Sequence, residues 1–247
     1  MNRLKIISIL IIVPIIAMAC AMLPAVSIST VRGSGKVTSE NRDVKDFQGV
    51  SLKGSGDLII TQGDNESLRI EAEDNILPLI ESDVRGGTLN LDFKPNIGSV
   101  SPTKPIKYYL SVKNLNAIDL SGSGNVQAET LKSGTLLMTC SGSGDISINT
   151  LTADILNYNM SGSGTTSLGG IVGQQSVEIG GSGNYQAAGL NSQQATAILT
   201  GSADITIWAK DSLNITLSGS GNVNYYGKPA VSQSITGSGK ITSLGDK

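Results

Sequence analysis

The stretch Ile118–Ile148, IDLSGSGNVQAETLKSGTLLMTCSGSGDISI, decides the fold. It holds Gly-Ser-Gly twice, at Gly122 and Gly142, and the apolar residues around each triplet keep the same distance from the glycines. Leu120 and Ile118 stand two and four residues before Gly122, as Cys140 and Met138 stand before Gly142. Val126 and Ala128 follow the first triplet as Ile146 and Ile148 follow the second. Period-two alternation on both flanks means that one strand enters the glycine turn and another leaves it, each with one face inside.

Working outward, Gly-Ser-Gly begins at Gly33, Gly54, Gly122, Gly142, Gly162, Gly181, Gly219 and Gly237, with Gly-Ser-Ala at Gly201. From Gly122 onward the intervals are 20, 20, 19, 20, 18 and 18 residues. A flexible linker keeps no such spacing. The slot two residues before these triplets holds Leu120, Cys140, Met160, Ile179, Leu199, Leu217 and Ile235; the slot four before breaks its apolar series only at Gln233. Val50, Leu52, Leu58 and Ile60 carry the register to Gly54, across a 68-residue gap. Within that gap Ser67–Glu73, Thr88–Phe93 and Ile106–Val112 read as strands. Asp74–Val84 reads as a loop or short irregular helix broken by Pro78, and Lys94–Pro105 as a loop.

A rung of this length cannot bury its apolar face alone, but stacked rungs share a continuous core. The expected fold is all-β: a β-solenoid (parallel β-helix) over 46–247, with 18–20-residue rungs and Gly-Ser-Gly turns, preceded by a linker and first strand over 27–45. Roughly seven to nine rungs, ~4.8 Å apart, make a rod roughly 30–40 Å long. The competing arrangement joins the same strands as antiparallel hairpins in a sandwich or prism. Such a fold need not hold side-chain identity in register every 18–20 residues, which favours the solenoid. Glycine suits the corner because it accepts φ > 0. Ala203, the exception, is then expected in an ordinary backbone region.

The 247 residues carry 18 Lys+Arg, 20 Asp+Glu and no His. The charge of -2, with no arginine beyond Arg85, does not suggest a nucleic-acid partner. Without histidine there is no Ser-His-Asp or Cys-His nucleophile and no HExxH zinc site. Of two cysteines, Cys20 ends an apolar segment, and Cys140 fills an inward slot as a small hydrophobe.

Residues 1–26 read as an export segment: Arg3 and Lys5, an apolar run Ile6–Ile16, then Ala17-Met18-Ala19 before Cys20. Three readings stay open. Signal peptidase cleaves at the Ala-x-Ala motif; or a lipobox makes Cys20 the site of lipid attachment; or Ile6–Val26 stays as an anchor, 21 residues being enough to cross ~30 Å of hydrocarbon. Each places 27–247 outside the cytoplasmic membrane, with the basic residues inside.

The position after each triplet (Asp57, Asn125, Asp145, Thr165, Asn184, Asp204, Asn222, Lys240) offers at most one carboxylate per rung. It is read as a solvated turn ladder, bonded to its own turn, in preference to a calcium roll, so no metal or other cofactor is called for. Tyr158, Tyr185 and Tyr225 fall in inward phase; Tyr226 and Trp208 point outward and are the surface-contact candidates. Glu71 with Glu73, or Asp154 with Glu178, are the acids that a hydrolytic pair would need, and sequence cannot set either pair across a groove.

Phe47–Gly63, FQGVSLKGSGDLIITQG, followed by SGSG at Ser121, Ser141, Ser161 and Ser218, resembles the autotransporter adhesin head domain of GIN type, a bacterial domain of unknown function, over about 46–230. The resemblance implies a right-handed parallel β-helix on exported, often lipid-anchored envelope proteins, and brings no catalytic or binding residues. The expectation is a non-enzymatic module at the bacterial cell surface. It is anchored through its N-terminus and used for adhesin-like contact or scaffolding with a protein or glycan of the envelope; oligomeric state is open. The alternatives are an envelope signalling or stress accessory binding another membrane protein, and a polysaccharide-acting β-helix enzyme.

Overall fold

A computed structural model describes residues 30–247; residues 1–26, read from sequence as an export segment, and Cys20 within them lie outside the described residues. Each regular repeat forms one nearly continuous strand: Asn125–Cys140, Ile146–Met160, Thr165–Ile179, Asn184–Leu199 and Asp204–Leu217. Every one of them pairs in parallel with the next, and the register joins the slots read from sequence. Leu120 lies beside Cys140, Cys140 beside Met160, Ile179 beside Leu199, and Leu199 beside Leu217. Parallel pairing between successive copies is what a solenoid requires and a hairpin sandwich forbids. From the corner at Gly122 to that at Gly237 there are about six coils, fewer than expected. The difference is that the Gly33 triplet is no corner of the stack, and that the chain between the Gly54 corner and the Gly122 corner stacked on it departs from regular coiling.

Inward residues step by two within a side and by three at a bend. In Ile146–Met160 the buried set is Ile146 and Ile148, then Leu151 and Ala153, then Leu156, Tyr158 and Met160. Each coil thus has three sides, meeting at the Gly-Ser-Gly corner and at two further bends. The sides enclose one contiguous core, from Val44 to Val223, in which a fully buried Leu or Ile contributes about 1.5–3 kcal/mol.

The corner glycines are explained by stacking and not by φ. Among the second glycines of the triplets only Gly35 and Gly56 have φ > 0. A Cβ on Gly142 would instead lie 1.9 Å from the carbonyl oxygen of Gly122, and one on Gly162 the same distance from that of Gly142. The central serine amide donates to that same oxygen, Ser163 N to Gly142 O at 3.1 Å, so the ladder runs unbroken through the corner. Ala203 takes the second place with an ordinary φ, as expected, its methyl buried.

The N-terminal end closes the rod with antiparallel pairs. Lys107–Val112 continues the stack in parallel on Asp57–Gln62; Ser67–Glu73 then pairs with it antiparallel, and Val37–Arg42 pairs antiparallel with Ser67–Glu73. On another side Thr88–Phe93 lies parallel to Gly49–Leu52 and turns back antiparallel into Ile80–Arg85. The segment read as an irregular loop is therefore a strand from Ile80 onward, with only Leu77–Leu79 in a 3-10 turn. Gly86 and Gly87, with φ of 57° and 76°, supply the two positive-φ residues that a tight hairpin needs. A short strand Ser99–Ser101 interrupts the expected loop and pairs with Thr30–Arg32, so the segment before residue 46 holds two described strands.

Candidate contact edge

The second side of each coil is narrow, and its outward residues stack in one file: Lys132, Thr152, Ile171, Asn191, Trp208 and Tyr226. At its C-terminal end this file turns from polar to aromatic. Ile171 is 62% exposed, while Trp208 and Tyr226 are half-buried neighbours on consecutive coils. Trp208 reaches this file because its coil is one of the two shorter ones. The chain passes from Ile207 to Ala209 by plain alternation, and the register slips where the longer coil takes a wider bend, between Gln186 and Asn191.

A buried polar network fixes the backbone beneath Trp208. Ser192 Oγ donates to the Trp208 carbonyl at 2.7 Å and Gln175 Nε2 at 3.2 Å; Gln175 Oε1 in turn accepts from Tyr185 OH at 3.0 Å. Tyr185 stacks on Tyr158, ring centroids 5.1 Å apart, and the Tyr158 and Thr166 hydroxyls bond at 2.7 Å. Tyr158 and Tyr185 are therefore core, as expected, while Tyr225 is only partly buried against it; burial drives the Tyr158 and Tyr185 phenols upward, out of any acid–base role near neutrality. Beside Trp208, Asn191 keeps a buried Oδ1 without a donor among the described residues.

On the outer face of the rings lies a cation. Lys247 Nζ stands 5.5 Å from the Trp208 ring centroid and 4.9 Å from that of Tyr226, and donates to the Ala188 carbonyl at 2.5 Å. Sequence reasoning found the two rings as outward residues. Their adjacency and the lysine depend on a bend register that spacing alone does not carry.

The turn residues do form a ladder, but each side chain serves the next coil and not its own turn. Asn125 Oδ1 accepts from Asp145 N at 3.0 Å, Asp145 Oδ1 from Thr165 N at 2.7 Å, and Asp204 Oδ1 from Asn222 N at 3.0 Å. The file skips at Thr165, where Asn184 N uses the Gly164 carbonyl instead. Cys140 is fully buried, and burial pushes its thiol pKa up. The acids Glu71 and Glu73 are each held by neighbours: Glu71 pairs with Arg69 and accepts from Tyr109 OH, while Glu73 is buried among amides. A recess of about 460 Å³ at the N-terminal end, lined by Asp46, Gln48, Glu66, Lys113 and Asn116, has no counterpart in the sequence reading.

Stacked parallel coils with glycine corners make this chain a β-solenoid. The chain belongs to the family described as "Putative auto-transporter adhesin, head GIN domain", whose model matches residues 46–229. Its structure is similar to that of a protein from Bacteroides fragilis described as a putative adhesin, with 29% identity and a TM-score of 0.83, over 87% of this chain and 100% of that one. It is also similar to a putative adhesin of Parabacteroides distasonis, with 27% identity, a TM-score of 0.71 and the same coverage. A second structure from that organism, described as a putative lipid binding protein, shares the fold at 24% identity, a TM-score of 0.72 and the same coverage. No curated protein matches the chain. Among the described residues no helix is long and apolar enough to cross a membrane.

Proposed function

We propose that this chain is a non-enzymatic contact module of the bacterial envelope, carried outside the cytoplasmic membrane by residues 1–26 and making contact through the narrow edge that ends in Trp208 and Tyr226. Family membership and the two adhesin-described structures support the surface role. The observation that carries the choice of edge is the register pairing of the two rings on consecutive coils, in one file with exposed Ile171 two coils before Trp208. Aromatic anchors are enriched at the centre of protein contacts. The test is saturable binding of the full-length protein to cells, isolated peptidoglycan and a glycan set, with a Trp208→Ala/Tyr226→Ala variant alongside. Binding lost in the variant supports the edge; no binding to any of these by the unaltered protein overturns the contact role. Intact mass of membrane-extracted protein reads the anchor directly, since a diacylglyceryl increment on Cys20 distinguishes the lipidated form.

A further inference from the structure

We propose that Trp208, Tyr226 and the Ala188 carbonyl form a binding site for the ε-ammonium group of a lysine on a protein partner, and that Lys247 occupies this site in cis. The inference names the partner chemistry of the contact edge and so rests on the reading above. Both rings lie within the ~6 Å over which an aromatic face attracts a cation, and one nitrogen serves both. That is possible because consecutive coils set the rings one strand spacing apart. The carbonyl of Ala188 supplies the directional acceptor. Two ring faces and one neutral acceptor favour an ammonium on an aliphatic stem, whose methylenes pack where the charge is held.

The tail is placed by the coil beneath it and only lightly held. Leu244 N donates to Tyr225 O at 2.8 Å and Gly227 N to Gly245 O at 2.9 Å, after which Asp246 pairs with Lys228 in the open. Exposed pairs of this kind are weak and screened by salt. A lysine from outside can therefore compete with Lys247 for the rings.

Trp208 is the one tryptophan of the chain, so its emission reports this site without a label. In the full-length protein, Lys247→Ala is expected to shift Trp208 emission. Titration of that variant with Nα-acetyl-lysine amide at constant ionic strength should then saturate at about tenfold lower concentration than in the unaltered protein, because the tethered competitor is gone. Tyr226→Leu in the Lys247→Ala background should weaken the response. A tighter response to glucosamine or phosphoethanolamine overturns the assignment to a protein lysine. A flat titration with emission unchanged by Lys247→Ala overturns the site itself. Envelope binding that still depends on Trp208 would then leave the contact edge standing, so the two readings fail separately.

Discussion

Glu73 is a fully buried carboxylate ringed by donors: Gly35 N at 2.6 Å, Thr103 N at 2.8 Å, Thr103 Oγ1 at 2.5 Å and Lys104 N at 3.3 Å. Burial alone pushes its pKa upward, but the Thr103 hydroxyl and the three amides outweigh it and hold the group at about 2. Gly33 makes the room, since a Cβ there would stand 1.9 Å from Glu73 Oε2. The first Gly-Ser-Gly of the chain is thus no corner of the stack; it clasps a carboxylate some forty residues later in the sequence. Spacing that reads correctly in the repeats misleads here, because the partner of the triplet is a single remote side chain. A carboxyl whose folded value lies below its unfolded one stabilises the protein above the unfolded value, near 4.5, and that stability drains away as pH falls toward 2. Urea midpoints between pH 7 and pH 2.5 should therefore fall on acidification, and Glu73→Gln should start lower at pH 7 and lose less between pH 4.5 and 2.5. Parallel pH profiles for the two proteins would mean that the clasp contributes nothing.

At the scale of the corner, two properties of glycine make opposite forecasts. If positive φ were the need, alanine would cost about 1 kcal/mol wherever it was placed in the corner. If close approach is the need, both glycines are strict, because each faces a carbonyl of the coil before: a Cβ would stand 1.9 Å from Gly122 O on Gly142 and 1.6 Å from Gly124 O on Gly144. One coil departs from this, with Ala203 in the second place. Gly142→Ala is expected to cost about 1–3 kcal/mol or more, since the two coils must part. Gly134→Ala, on an exposed bend where the nearest atom to a Cβ is 3.9 Å away, should be neutral or slightly stabilising. Denaturant midpoints of the two variants decide it; equal losses would mean that close approach at the corner costs nothing. The inward slots were legible in sequence because strand alternation is local. The ladder from Asn125 to Asp145 and Thr165 was legible as polar turn residues but not in its direction, which depends on the coil stacked next to it. The hairpin Ile80–Phe93 was hidden by Pro78, whose effect ends before Ile80.

For the whole molecule, stacking makes length a variable that the sequence can change without changing the fold, because each inner coil pairs only with its two neighbours. Excising residues 141–160 removes one complete repeat and joins Cys140 to Ser161, so the slot, the corner and the outward file all continue in phase. Excising 141–150 joins Cys140 to Leu151, deleting a corner while leaving the rest of that coil, and puts every later slot out of register with the coil before it. The first variant is expected to keep the strand signal in circular dichroism and to unfold cooperatively; the second is not. The shortened rod still has one identifiable defect. Tyr158 leaves with the excised coil, so Thr166 keeps a buried hydroxyl with its partner gone and Tyr185 loses its stacked ring. An unpaired buried hydroxyl costs about 1–3 kcal/mol, so Thr166→Val should raise the denaturant midpoint of the shortened protein while lowering that of the full-length one. This reversal of sign is the sharper measurement, because it requires coils that are interchangeable in backbone and individual in what fills them. If Thr166→Val moves both midpoints the same way, the hydroxyl pair of Tyr158 and Thr166 contributes nothing to stability.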